Sequence, residues 1–309
     1  MLLIIAGLVV VFGSIATGYL LEDGNLRVLM QPAELIIIAG GAAGIVLVSS
    51  PARNLRLLVR AVLSVCFPRT YTRDNYLDAL KLLYVLFSIG LGTRKIELES
   101  HVESPYESQI FQAHSSVLSD ADATTFICDS LRMAISAGLG EKEVDRLMML
   151  DMEVQRSGRQ QPLRVLMSVA DSLPGLGIVA AVLGVVVTMQ ALGGPARQIG
   201  QKVAAALVGT FFGILLCYGV MSPLSSRLES LGKARTEYLQ VIRAAITSFF
   251  RGASPLVAAE SGRRSIPLDL RPALEEMETE LRRERIPLSP DQLQALAQPA
   301  GSAEDATVE

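Results

Sequence analysis

Histidine and cysteine are scarce in this chain of 309 residues, and their placement excludes more than their number does. Cys66, Cys128 and Cys217 are scattered, with no Cys-x-x-Cys pair, which argues against a zinc site and against a disulfide framework. His101 and His114 have no partner at metal-ligand spacing and read as ordinary surface or loop residues. No nucleophile–base set, phosphate-binding loop or metal cluster is visible, so neither an enzyme nor a bound cofactor is expected. The net charge of −3 gives no basic excess that would suggest nucleic acid as a partner.

The most informative absence is that of charge. Four stretches contain no Asp, Glu, Lys or Arg: residues 1–21, 35–52, 172–196 and 203–226. Each approaches or exceeds the roughly 20 apolar residues needed to cross about 30 Å of hydrocarbon, the second being the shortest. An all-α integral membrane protein with four spans is the fold class this implies. Met1 leads straight into apolar sequence with no basic segment and no small-residue cleavage site, so the first span reads as retained. Orientation follows from the basic residues near the membrane. Arg53, Arg56 and Arg60 follow span two, Arg164 precedes span three, and Arg227, Lys233 and Arg235 follow span four. The short connections carry only Arg27 in one and Arg197 with Lys202 in the other. The long insertion, the tail and both termini are therefore expected in the cytoplasm, and the short connections outside.

The chain then divides into five segments: a hairpin of spans over 1–52, a cytoplasmic helical domain over 53–165, a second hairpin over 166–226, a helical extension over 227–285 and a disordered tail over 286–309. The insertion is charge-rich but balanced, with 14 Lys/Arg and 14 Asp/Glu. Tyr76, Leu77, Leu80, Leu83, Phe87 and Leu91 recur at helical steps, and further helices fit 119–137, with Asp120 as N-cap, and 141–155, opening on Glu141 and Glu143. Leu224, Leu228, Leu231, Tyr238, Ile242 and Ala245 continue one face beyond Pro223, so span four should run on as a long cytoplasmic helix that packs against the insertion. A short charged helix fits 271–285, and past Pro287 the Gln-, Ala-, Ser- and Pro-rich composition reads as disordered.

Small residues thread the spans. Gly40 and Gly44 in span two, and Gly209 and Gly213 in span four, have the Gly-x-x-x-Gly spacing that lets helix backbones approach in lipid. Gly177, Ala181 and Gly184 continue a small face in span three. Thr188 and Thr210 either bond back to their own helices or line an ion path. Asp171 at the membrane edge is either a functional acid or a helix N-cap, and Pro174 sits where the first turn of span three tolerates it. No Asp, Glu, Lys, Arg or His lies deep inside any of the four stretches, so a proton-accepting group would have to come from another chain. In the insertion, Arg94, Lys95, Glu97, Glu99 and Glu103 form either a solvated face with i,i+3 and i,i+4 pairs, worth tenths of a kcal/mol each, or a charged docking surface.

Four motifs in order resemble the MotA family, the membrane stator subunits of bacterial flagellar motors. GYLLEDGNLRVLMQPAELIIIAG (18–40) resembles the family's first hairpin and LESHVESP (98–105) its cytoplasmic LE-x-x-x-E-x-P stretch. DSLPGLGIVAAVLGVV (171–186) and VGTFFGILLCYGVMSPL (208–224) resemble the signature of its third and fourth spans. The last pair would also admit ExbB/TolQ-like energisers of outer-membrane systems, and a non-conducting membrane scaffold is the alternative from another class. The resemblance implies a homo-oligomeric ring, expected to be a pentamer, in the bacterial inner membrane. The ring would surround a MotB-like partner whose transmembrane aspartate accepts protons, and would push on the rotor protein FliG. It implies that Pro174 and Pro223 couple ion binding to helix movement, that Asp171, Ala181 and Thr210 lie on the ion path, and that Glu99, Glu103 and Asp151 face the rotor. The family's basic rotor-contact position aligns with Leu91; Arg94 and Lys95 lie about one turn later. Sodium-type relatives carry threonine where this chain has Ala181, so the expected coupling ion is the proton.

Overall fold

The computed structural model describes residues 2–91, 95–190, 193 and 195–284, with Ala52, Lys95 and Ile96 described by their backbone only. Arg94, the side chain of Lys95 and the tail expected over 286–309 lie outside the described residues. The described residues are helical and include no strand. They fall into two compact units: residues up to 70 together with 151–236, and residues 71–150 together with those from 237 on.

In the first unit, α1 (Leu2–Leu21), a short turn α2 (Leu26–Leu29) and α3 (Pro32–Ser49) form the first apolar hairpin. Among the described residues, four helical segments, 2–21, 26–49, 141–189 and 196–250, are long and apolar enough to cross a membrane. No residue of α1 is buried within the chain, and its Leu2, Leu3, Val9 and Val10 are wide open, as suits a surface meant for lipid or for neighbouring subunits. The sequence reading of span two, 35–52, is shifted: α3 begins at Pro32, whose missing N–H costs nothing at the first helical position, and ends at Ser49 before Pro51. Beyond Pro51 the chain forms a separate amphipathic helix, α4 (Ala52–Cys66). Its Leu55, Val59 and Leu63 are exposed, with Arg53, Arg56 and Arg60 along the same helix.

The second unit holds α5 (Arg73–Gly90), α6 (Lys95–Glu103), α7 (Gln109–Ala113), α8 (Ser115–Leu118) and α9 (Ala121–Ser136). It also contains the start of α10 (Glu141–Met189), the later part of α12 (Ser222–Phe250), α13 (Pro255–Arg264) and α14 (Leu274–Arg283). Of the periodic positions read for α5, Tyr76, Leu80, Leu83 and Phe87 are enclosed and Leu77 is half-buried, while Leu91 lies past the helix end and is exposed. Ala79, Leu82, Val85, Leu86 and Ile89 are buried as well, so α5 is enclosed on more than the predicted face. Asp120 caps α9, accepting from the Ala123 N–H at 3.2 Å, and its other oxygen accepts from the Tyr71 hydroxyl at 2.8 Å. The continued face of α12 packs here too. Tyr238 stacks on Tyr71 with centroids 4.2 Å apart, Phe249 stacks on Phe87 at 4.4 Å, and Ile242 and Ala245 are fully buried. Gly262 brings α13 close to α5 and α12: a Cβ there would lie 2.7 Å from Leu80 Cδ2 and 3.2 Å from the Val241 carbonyl oxygen. Burial pushes the Cys128 thiol up to about 12, which keeps it protonated and unreactive at neutral pH.

One ion pair ties the start of α10 to α12. Arg243 donates to both oxygens of Asp145 at 2.8 Å, and the Thr247 hydroxyl adds a third bond at 2.9 Å. The Arg243 hydrogen bond first, then that of Thr247, outweigh partial burial and hold the Asp145 carboxyl below its ordinary value. A depressed folded-state pKa contributes stability that is present above the unfolded value and is lost as pH falls through the folded one. Asp145→Asn should therefore lower stability by about 2 kcal/mol at neutral pH. The deficit should shrink on acidification below the usual carboxylate range, which thermal melts at neutral and acid pH would measure.

Candidate functional site

The third and fourth spans meet along a seam of small residues. On α10 it is formed by Gly177, Ala180, Ala181 and Gly184; on α11 (Ala196–Leu216) by Ala206, Gly209, Thr210 and Gly213. A Cβ on Gly213 would lie 2.6 Å from the Leu173 carbonyl oxygen and 2.8 Å from Gly177 Cα. One on Gly177 would lie 2.8 Å from the Gly209 oxygen and 3.3 Å from Thr210 Cα. The contact is backbone on backbone, so no neighbour can yield by rotating a side chain. A Cβ on Gly40 or Gly44, with the same spacing, would meet nothing within 4 Å beyond its own helix; in span two it is Gly41 that packs, against Leu176.

Thr188 is buried and its hydroxyl donates to the Gly184 carbonyl at 2.8 Å, the inward bond expected of a threonine whose hydroxyl must be satisfied in an apolar setting. Thr210 and Ala181 are half-buried on the facing sides of the seam, Thr210 opposite Gly177 and Ala181 opposite Gly209.

Pro174 is not at a helix start. It lies deep inside α10, which stays helical over 49 residues through Pro162 and Pro174, so what Pro174 breaks is the hydrogen-bond ladder and not the helix. Asp171 is likewise mid-helix and exposed, so the N-cap reading of that acid does not hold. The helix stop expected near residue 155 is absent as well, because nothing between 156 and 170 breaks the ladder except Pro162. Proline supplies no N–H to the carbonyl four residues back, which for Pro174 is that of Ala170, itself buried. The fourth span has a matching break: α11 ends at Leu216 and a π turn, Cys217–Met221, precedes Pro223 in the first turn of α12. The Ser222 N–H reaches back five residues to the Cys217 carbonyl. Single π turns inside helices recur at functional sites.

The two breaks border one cleft of about 220 Å³, lined by Asp171, Pro174, Tyr218, Ser222, Ser225 and Glu229 among others. Asp171 and Pro174 therefore share a cleft with the π turn and with Ser222, the neighbour of Pro223. Ala181 and Thr210 stand further along the same seam. Sequence reasoning missed Glu229, Tyr218 and the serines. Only Pro223 within a helical pattern signalled a break there, and nothing in the pattern signalled which residues would line the cleft with Asp171.

Two family models match this chain: motility protein A N-terminal over residues 5–90, and the MotA/TolQ/ExbB proton channel family over 119–241. Motility protein A of Salmonella typhimurium is 37% identical over 286 residues, covering 93% of this chain and 97% of the relative. That of Escherichia coli is 38% identical over 282 residues, covering 91% and 95%. The chain belongs to the motility protein A branch of the MotA/TolQ/ExbB proton channel family. Chemotaxis protein LafT of Vibrio parahaemolyticus is a further relative, 35% identical with 88% of this chain and 94% of its own length covered. The fold matches a chain of C. jejuni MotAB with a TM-score of 0.72 at 19% identity, over 87% of this chain and 96% of that one. It also matches the flagellar MotAB stator complex from Bacillus subtilis with a TM-score of 0.70 at 19% identity, over 89% and 98%. With four membrane-capable helices, this family member is a multi-pass protein of the bacterial inner membrane.

The charged residues expected to meet a partner are dispersed. Glu99 is half-buried on α6 and accepts from the Ser136 hydroxyl at 3.2 Å, while Glu103 of the same helix is exposed. Asp151 belongs to the other unit, exposed on α10 and bonded to Gln155 one turn on at 3.3 Å. Arg94 and the side chain of Lys95 lie outside the described residues.

Proposed function

We propose that this chain is the stator subunit of a bacterial flagellar motor, which converts proton flow into torque on the rotor. The observation that carries the reading is the seam of the third and fourth spans in a motility protein A family member. It is locked backbone on backbone at Gly177 and Gly213, then broken on both helices around one acid-bearing cleft. A seam that is rigid along one part and has its regular i→i−4 ladder interrupted on both helices along the next is suited to bending at a fixed place.

In this reading the chain assembles as a ring, five copies being the expected number, around a MotB-like partner that supplies a transmembrane aspartate. Ala181 and Thr210 line the route, Asp171 takes part at its cytoplasmic end, and Pro174 and Pro223 are the joints. The proton is the coupling ion and no cofactor is needed. Both termini and the second unit face the cytoplasm, where Glu99, Glu103, Asp151, Arg94 and Lys95 offer charge to the rotor protein FliG. Long-range charge complementarity would set the rate and register of that contact more than its strength.

Co-expression with a MotB-like partner in a cell lacking its own stators tests the reading. Restored swimming is the expected result, and failure to swim despite normal membrane insertion would sink it. For the rotor face, Glu99→Lys should slow swimming severalfold, with rescue by a reversed charge on the rotor. Normal swimming of Glu99→Lys alone would make the cluster a solvated helix face and nothing more.

A further inference from the structure

The four uncharged stretches of the sequence leave Glu34 just outside span two. The fold places it inside. Glu34 is in the first turn of α3 and only 7% exposed, the one buried carboxyl group among the described residues of the first unit. Two glycines on two other helices make its space. A Cβ on Gly209 of α11 would lie 2.7 Å from its Oε2, and a Cβ on Gly184 of α10 would lie 3.3 Å from its Oε1. The Cβ atoms of Ala180 and Ala206, which crowd those same two glycines, offer no hydrogen-bond donor. Oε2 is enclosed and takes no hydrogen bond.

An ionised carboxylate in such a place is costly, and one retained for structure alone would have its oxygens satisfied. Its place along the seam adds a second reason. Gly184 opposite Ala206 heads the seam at the end of the short connection, followed by Ala180 and Ala181 opposite Gly209, then by Gly177 with Thr210 and Gly213, and finally by Pro174 and the cleft lined by Asp171 and Glu229; Glu34 touches the first two of these levels. Acids thus stand at both ends of one helix seam. The charged side chains on the elements packed around Glu34 are Arg27 of α2 and Arg197 and Lys202 of α11; α10 carries none from Ser172 to Met189.

We propose that Glu34 is a proton-relay residue at the outer mouth of the path, an inference that rests on the stator reading above. The carboxylic acid gives up its proton as a new O–H bond forms on the partner's carboxylate. The Glu34 carboxylate then takes a proton from a hydronium ion of the outer water, leaving a water molecule. No electrons are exchanged.

The test uses the full complex of this chain with its MotB-like partner in liposomes, with proton flux driven by an imposed pH gradient and read by an internal pH dye. Glu34→Gln keeps size and polarity but cannot relay a proton. It should cut flux at least about tenfold at unchanged complex yield. Glu34→Asp should keep measurable flux with a displaced pH profile, which a packing role would not produce. Flux of Glu34→Gln within about twofold of wild type would overturn the relay while leaving the stator reading intact. If Glu34→Gln does not assemble, an unchanged pH profile in Glu34→Asp overturns it instead. A wild-type complex that conducts no protons removes both.

Discussion

Pro174→Ala should abolish torque while the complex assembles at its normal level. The reason lies in one hydrogen bond. Alanine at this position supplies the N–H that the Ala170 carbonyl lacks, and closes the ladder of α10 where it borders the cleft. Proline in a helix interior is unfavourable by about 3 kcal/mol relative to alanine, so the variant should be at least as stable as the parent. A helix that has lost its weak point no longer bends there. The outcome is thus a stable, correctly inserted protein that does not work, which separates a coupling role from a structural one. Swimming and tethered-bead rotation measure the torque, and co-purification with the MotB-like partner measures assembly. Unaffected motility would remove the joint. Pro162→Ala in the same helix, away from the cleft, is the control and should leave rotation intact.

Gly213→Val should fail in the opposite way, by never forming the seam. The first added carbon would lie 2.6 Å from the Leu173 carbonyl oxygen and 2.8 Å from Gly177 Cα, well inside van der Waals contact and against main chain on every side. Relief requires α10 and α11 to separate, which also opens the contacts at Gly177 and Gly209. Overpacking of a tight core typically costs about 1–3 kcal/mol, and two helices displaced along a shared seam put this substitution at or above the top of that range. Thermal melting in detergent should fall steeply, and complex should not be recovered. Gly40→Ala is the matching control, since nothing beyond its own helix lies within 4 Å of the added carbon, and its melting should be unchanged. Equal effects at both positions would mean that the seam is not where the chain is locked.

These two glycine pairs show where sequence reading stops. Gly40 with Gly44 and Gly209 with Gly213 have identical spacing, and spacing fixes only that two small residues share a helix face. Which face meets another helix depends on the rotation of each helix in the bundle. Asp171 and Pro174 carry the same lesson. An acid three residues before a proline at the edge of an apolar run fits a helix start, and the local chemistry allows nothing more specific. In the fold the helix is already underway thirty residues earlier, at Glu141, so the same two residues become an exposed mid-helix acid and a break. Glu34 was lost to a boundary drawn at the last charge. That rule assumes charge lies outside the bundle, which fails where glycines on two neighbouring helices leave room for a carboxyl group.

By itself the sequence determined what local rules can determine. Runs without charge gave the membrane helices, the 3.6-residue period gave the existence of α5 and four of its buried residues, Asp120 gave a cap, and the order of short motifs gave the family. Only the tertiary structure decided which of the repeated small residues touch backbone, that Pro174 and the π turn border one cleft lined by both Asp171 and Glu229, and that Glu34 is enclosed. Those outcomes turn on helix rotation and on contacts between segments far apart in the chain, and no pattern within a single helix encodes them.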